Sequence, residues 1–147
     1  MPKSLQTNFQ YLKPAKYFMD NRFAAVPASM RLDESVDIAF RKGVAYFLVV
    51  NGKAVLGAIS INSLRDVLEA VGRNREITMG EVADTNYVVV PEDLGLFEVI
   101  TKIRERQADF ALVLDNGETA VAAEEVKGVI ASEEIGEATL EAVNCEQ

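Results

Sequence analysis

Residues 46–60 read Tyr-Phe-Leu-Val-Val-Asn-Gly-Lys-Ala-Val-Leu-Gly-Ala-Ile-Ser. Phe47 to Val50 is continuously apolar, as a strand buried on both faces would be. Asn51-Gly52 is a strong hairpin signal. Ala54 to Ser60 then returns antiparallel. Ile61 to Val71 follows as a helix with Leu64, Val67, Leu68 and Val71 along one side.

The same pattern occurs twice. Tyr46-Phe47-Leu48-Val49-Val50 falls on Phe110-Ala111-Leu112-Val113-Leu114 at an offset of 64 residues. That offset also carries Asp20 to Asp84, Phe23 to Tyr87, Val26-Pro27 to Val90-Pro91, Leu32 to Leu96 and Val36 to Ile100. Further on, Gly57-Ala58-Ile59-Ser60 matches Gly128-Val129-Ile130-Ala131 at an offset of 71, so the second copy carries seven extra residues between its two hairpin strands. They lie within residues 116–125. An insertion belongs on a surface loop, where closure entropy grows slowly with length.

Each copy therefore reads strand, helix, strand, strand, helix. In copy one a short strand, Ala24 to Val26, stops at Pro27. A helix follows with Leu32, Val36, Ala39 and Phe40 expected on its inner face, and Gly43 able to end it. In copy two the elements are Val88 to Val90, a helix marked by Leu96, Val99, Ile100 and Ile103, strands Phe110 to Asp115 and Val126 to Ala131, and a last helix from Ser132 to Val143. Ser29 and Asp93, 64 residues apart, are capping residue types just before the two first helices. The expected division is an N-terminal segment over 1–18, repeat one over 19–71, a polar Gly-flanked linker over 72–80, repeat two over 81–143 and a tail over 144–147. Phe9, Tyr11, Leu12, Tyr17 and Phe18 make the first segment too apolar for a free tail; it docks on a repeat, on a partner, or leads from a membrane part.

Composition removes several function classes. Of 147 residues, 23 are acidic and 15 basic, a formal net charge of -8. Arg73-Asn74-Arg75 and Lys102 to Arg106 are too interleaved to form the basic footprint that nucleic acid requires. There is no histidine, and Cys145 is the single cysteine, so no disulfide framework and no His/Cys metal cluster is expected. No nucleophile–base pair stands out, and the chain is read as not an enzyme. The longest apolar run, Val44 to Val50, is far short of the ~20 residues of a membrane span. No signal-peptide core is present at the N-terminus. The expected location is cytoplasmic, including as the cytosolic part of a membrane protein.

The repeated order, Val-Pro after a short strand, the Phe-Leu-Val-Val-Asn-Gly hairpin and Gly-Ala-Ile-Ser before the last helix resemble the CBS domain. With Val90-Pro91, Phe110 to Asp115 and Gly128-Val129-Ile130 in register, the resemblance covers about residues 14–140. It implies an α+β fold of two βαββα CBS repeats packed about a pseudo-twofold axis. Homodimerisation through the pair is implied too. So are clefts between the copies for adenosine compounds: AMP, ADP or ATP, ahead of S-adenosylmethionine, none of them required for folding. Such pairs regulate an attached or partner enzyme, channel or transporter. The stretch from Phe110 through the longer loop to Ile135 further resembles the cytosolic CBS pairs of bacterial ClC-type chloride channels and transporters, as does Met19 to Pro27.

The family's ligand signature is roughly Gly, two apolar residues, Thr or Ser, two variable residues, then Asp. Copy one reads Gly57-Ala58-Ile59-Ser60-Ile61-Asn62-Ser63, with the hydroxyl at Ser60 and Ser63 in place of Asp. Copy two reads Gly128-Val129-Ile130-Ala131-Ser132-Glu133-Glu134, with Ala131 in place of the hydroxyl and Glu134 in place of Asp. The implied nucleotide-binding set is Val26, Pro27, Tyr46, Ser60, Ser63, Phe110 and Glu134. Each has a plainer role beside it. Ser60 is a favoured helix cap, Glu134 suits a helix N-terminus electrostatically, and Tyr46 and Phe110 are apt core aromatics. Losing the ribose-binding Asp in both copies favours the alternative, a dimerisation or interaction module that binds no nucleotide.

Overall fold

The computed structural model describes residues 13–72, 76–115 and 121–133. The chain divides into two compact units. Unit one comprises residues 1–19, 86–119 and 126–147; unit two comprises 20–85 and 120–125.

Unit two is built on a three-stranded sheet of β1 (Phe23–Pro27), β2 (Tyr46–Asn51) and β3 (Ala54–Ser60), in that order. β1 runs parallel to β2, and β3 antiparallel to it. The connecting helix α1 spans Leu32–Lys42, and α2 (Ile61–Val71) follows β3. Phe47, Val49 and Ile59 line one sheet face and join Val26, Leu32, Leu64 and Met79 in the core. Tyr46 and Leu48, which point to the other face, are also shielded. A strand covered on both sides has no polar position, which is why the sequence lacks alternation there.

Unit one repeats this with β4 (Tyr87–Pro91), β5 (Phe110–Leu114) and β6 (Val126–Ala131) around α4 (Leu96–Arg106). α3 is the short helix Met79–Val82, which belongs to unit two. Even the irregularity is duplicated. The register slips between Val49 and Val50 in one sheet and between Val113 and Leu114 in the other, so that Leu56 and Lys127 are the extra residues of two equivalent bulges. The α+β architecture of two like repeats is as the sequence implies. The last helix begins at Ser132–Glu133, and its remainder lies outside the described residues.

Two expectations need correction. Val36 and Phe40 do not face the core. They are 40% and 90% exposed, and the buried positions of α1 are Leu32 and Ser35. Ser35 is tolerated there because its hydroxyl donates to the Leu32 carbonyl at 2.6 Å. Nor do Ser29 and Asp93 cap the first helices. The caps are Arg31 and Gly95, without side-chain bonds, and Asp93 pairs instead with Lys16 at 3.3 Å.

What closes those helix starts is backbone from the segment that leads into the other repeat. In unit two the Leu32 N–H donates to Ile77 O, Met79 N–H to Met30 O and Gly80 N–H to Ala28 O, at 3.3, 2.7 and 2.9 Å. In unit one Leu96 N–H donates to Lys13 O, Ala15 N–H to Leu94 O and Lys16 N–H to Glu92 O, at 3.0, 2.7 and 3.0 Å. Every partner is shifted by 64 residues, so each repeat's leader completes the unit of the other repeat. Residues 76–80 are accordingly integral to unit two, and Met79 is wholly buried there. Burying that one side chain contributes roughly 1.5–3 kcal/mol.

Candidate functional site

The sheet register sorts the candidate residues. Tyr46 lies opposite Ser60 on β3 and beside Phe23 on β1. Residues directly across a ladder point to one face, so Tyr46 and Ser60 share the face away from Phe47 and Ile59. Both are buried, at 3% and 5% exposure. Ser60 ends β3 and is the N-cap of α2. Its hydroxyl oxygen accepts from the Ser63 N–H at 3.1 Å and donates to the Ser63 hydroxyl at 3.0 Å. The turn is fixed further by the Ile61 N–H, which donates to Ala45 O at 2.9 Å. Ser60, Ser63 and Tyr46 therefore stand together where β3 passes into α2, with the positive end of a three-turn helix beside them.

Val26 and Pro27 are elsewhere. They pair with Val49 and Val50, three and four residues further along β2. That is roughly 10–13 Å from the level of Tyr46. Val26 also faces the core containing Phe47 and Val49, and is 2% exposed. Pro27 is exposed.

In unit one Phe110 occupies the place of Tyr46. It lies between Tyr87 and Ala131 and is 3% exposed. Ser132 N–H donates to Asp109 O at 2.9 Å, matching the Ile61–Ala45 bond. Ala131 brings no hydroxyl, so this turn lacks the side-chain cap of its counterpart. Glu134 lies outside the described residues. Tyr87 is a polar group that the motif reading passed over. Burial pushes its phenol above the ordinary tyrosine value. Its signal was the repeat itself, since the equivalent Phe23 carries no hydroxyl.

No buried side-chain nitrogen or oxygen among the described residues lacks a hydrogen-bond partner. None of the described residues group three or more His, Cys, Asp or Glu side chains to hold a metal ion. None of the described helices is long and apolar enough to cross a membrane.

Two parallel-then-antiparallel sheets, each completed by a leader segment from its sister repeat, define a duplicated α+β module. Residues 15–70 match the family model of the CBS domain, and the fold is that of a CBS-domain pair. Three solved structures are similar to it. The CBS-containing haemolysin-like protein of Oenococcus oeni PSU is 16% identical with a TM-score of 0.65, covering 91% of this chain and 96% of that one. The CBS domain of the bacterial CNNM/CorC family Mg2+ transporter in complex with ATP is 15% identical with a TM-score of 0.64, covering 94% and 95%. A CBS domain pair in complex with 5′-methylthioadenosine and S-adenosyl-L-methionine is 17% identical with a TM-score of 0.58, covering 88% and 98%. None of these three is a chloride-channel domain. No curated protein matches the sequence.

Proposed function

We propose that this chain is a regulatory CBS pair that binds an adenosine nucleotide and biases the activity of an attached or partner membrane transport protein. The observation that carries this reading is the meeting of Tyr46 and Ser60 at the start of α2, in a fold that a relative shares while holding ATP. The α2 N-terminus favours phosphate, Ser60 and Ser63 supply hydroxyls, and Tyr46 supplies an aromatic face for a base. Phe110 and Glu134 are the corresponding proposals in the second repeat. Val26 and Pro27 enter the proposal only through chain contacts near the far end of β1.

Isothermal titration with AMP, ADP, ATP and S-adenosylmethionine tests it. A ligand that binds the native state alone must also raise the melting temperature. No heat and no melting shift with any of the four at millimolar concentration would overturn nucleotide sensing.

One observation favours the second reading, an interaction module without a nucleotide. The Ser60 hydroxyl is already engaged by Ser63, and Ser63 stands where the family places a carboxylate. Either way the module is proposed to work as a homodimer, a role for which the exposed Phe40 is suited. A monomer in sedimentation at all concentrations would remove that part. For the transport partner, the ending of the chain resembles ClC-type pairs, whereas one of the similar structures comes from a Mg2+ transporter. The genomic reading frame and its neighbours, inspected for membrane spans of either type, decide between them.

A further inference from the structure

The end of the second repeat's longer loop, residues 121–125, pairs with the other repeat's sheet. These residues belong to unit two. There Val121 O accepts from the Val55 N–H at 3.2 Å, and the Ala123 N–H donates to Lys53 O at 3.1 Å. Ala122 bridges antiparallel to Ala54 between these bonds. A 3-10 turn over Ala123–Glu125 then leads straight into β6. The segment makes a one-residue antiparallel bridge on the outer edge of β3.

That edge has reason to be closed. β3 is terminal in its sheet. Residues 54–63 carry no charge and no proline, and 54–59 are all apolar or glycine. An uncharged apolar edge is a template for strand addition by another chain. Further along, Ala58 and Asp84 exchange two backbone bonds at 3.0 and 2.9 Å. The edge is thus held at its far end by the leader of β4 and at its hairpin end by the insertion.

We propose that residues 121–125 form an edge-sealing strap, and that its release opens the β3 edge at Lys53–Val55 to strand pairing with a second copy of this chain. The strap rests on few bonds beside exposed Glu124 and Glu125, so it opens locally without unfolding the unit. The first repeat's turn at Asn51-Gly52 has no length for an equivalent excursion, which gives the insertion a purpose of its own.

Two variants test this on the full chain. Ala123→Pro removes one donor while suiting the first position of the 3-10 turn. Losing that bond should speed hydrogen exchange at the Val55 amide about fivefold, with β2 amides unchanged. Replacing residues 116–125 by Asn-Gly-Lys, the first repeat's own turn, should cause concentration-dependent association beyond the state of the parent chain in sedimentation. Unchanged exchange at Val55 in Ala123→Pro overturns the strap. A folded short-turn variant with the parent's association state overturns the sealing role. If the short-turn variant does not fold, the exchange result alone decides.

Discussion

The side-chain amide of Asn86 donates to the carbonyl of Gln107 at 2.8 Å and to that of Arg106 at 3.2 Å. Gln107 ends α4 in the left-handed region, at φ 51°, a place that Gly43 fills in the first repeat at φ 64°. A residue with a Cβ is strained there, and Asn86 supports the carbonyls that the strained end exposes. Gln107→Gly should therefore stabilise the protein by about 0.5–1 kcal/mol. Asn86→Ala should cost about 1 kcal/mol. Chemical denaturation of the two variants checks both signs.

Gly57 and Gly128 are equivalent, but their neighbours differ. A Cβ on Gly57 would fall on the backbone carbonyl oxygen of Asp84, with the carbonyl carbon at 2.9 Å. The three atoms nearest a Cβ on Gly128 all belong to the Met19 side chain, at 2.6–2.7 Å. Backbone held by two reciprocal bonds cannot step aside, whereas a methionine can repack. Gly57→Ala should cost about 3 kcal/mol or more and Gly128→Ala roughly 1–2 kcal/mol. Equal losses in thermal melts would contradict the difference.

Ser60→Ala separates the two roles of that hydroxyl. Loss of the cap should lower stability by about 1 kcal/mol. If the hydroxyl also contacts a nucleotide, ATP affinity in titration falls further than that of a stability-matched variant elsewhere in unit two. Ser63→Asp tests the reverse. It restores a carboxylate at the family's ribose position and should tighten nucleotide binding about fivefold or more, the scale of one added hydrogen bond. No gain would favour the module without a nucleotide.

Asp20 supplies a pH signature. Its carboxyl accepts side-chain and backbone bonds from Arg22, which hold its pKa below the ordinary carboxylate value. A depressed native pKa contributes stability above the unfolded value near 3.9, and the contribution disappears as pH falls through the native value. Arg22 is largely exposed, so the amount is under about 1 kcal/mol. Asp20→Asn should match the parent at the acid end and fall below it at pH 6, as read by urea midpoints at several pH values.

The duplication made the fold legible. An offset of 64, becoming 71 after the hairpin turn, aligned the strands and the first helices. Helix orientation was less legible, because Val36 and Phe40 stand at an apolar spacing that resembles a core stripe. The core instead uses Leu32 and Ser35, whose hydroxyl is satisfied within its own turn. Met79 was hidden for a different reason. It sits in a polar stretch, and only packing with Val26, Leu32, Phe47 and their neighbours, far back in sequence, makes it interior. At the candidate site, the hairpin brought Tyr46 and Ser60 onto neighbouring strands, but placing them opposite one another required the register shift between Val49 and Val50. Separating Val26 from them required the parallel register of β1, which no local pattern encodes.

The exchanged leaders bear on how this molecule can be taken apart. A fragment ending at residue 72 would keep the sheet of unit two but lose Ile77, Met79 and Asp84, which finish it. The remaining fragment would lack Lys13 to Met19. Each piece alone is a half-gene without a complete interior. Mixed together, the two contain everything that both units need, so this chain is suited to fragment complementation. Its two similar halves are obligate collaborators and not interchangeable spares.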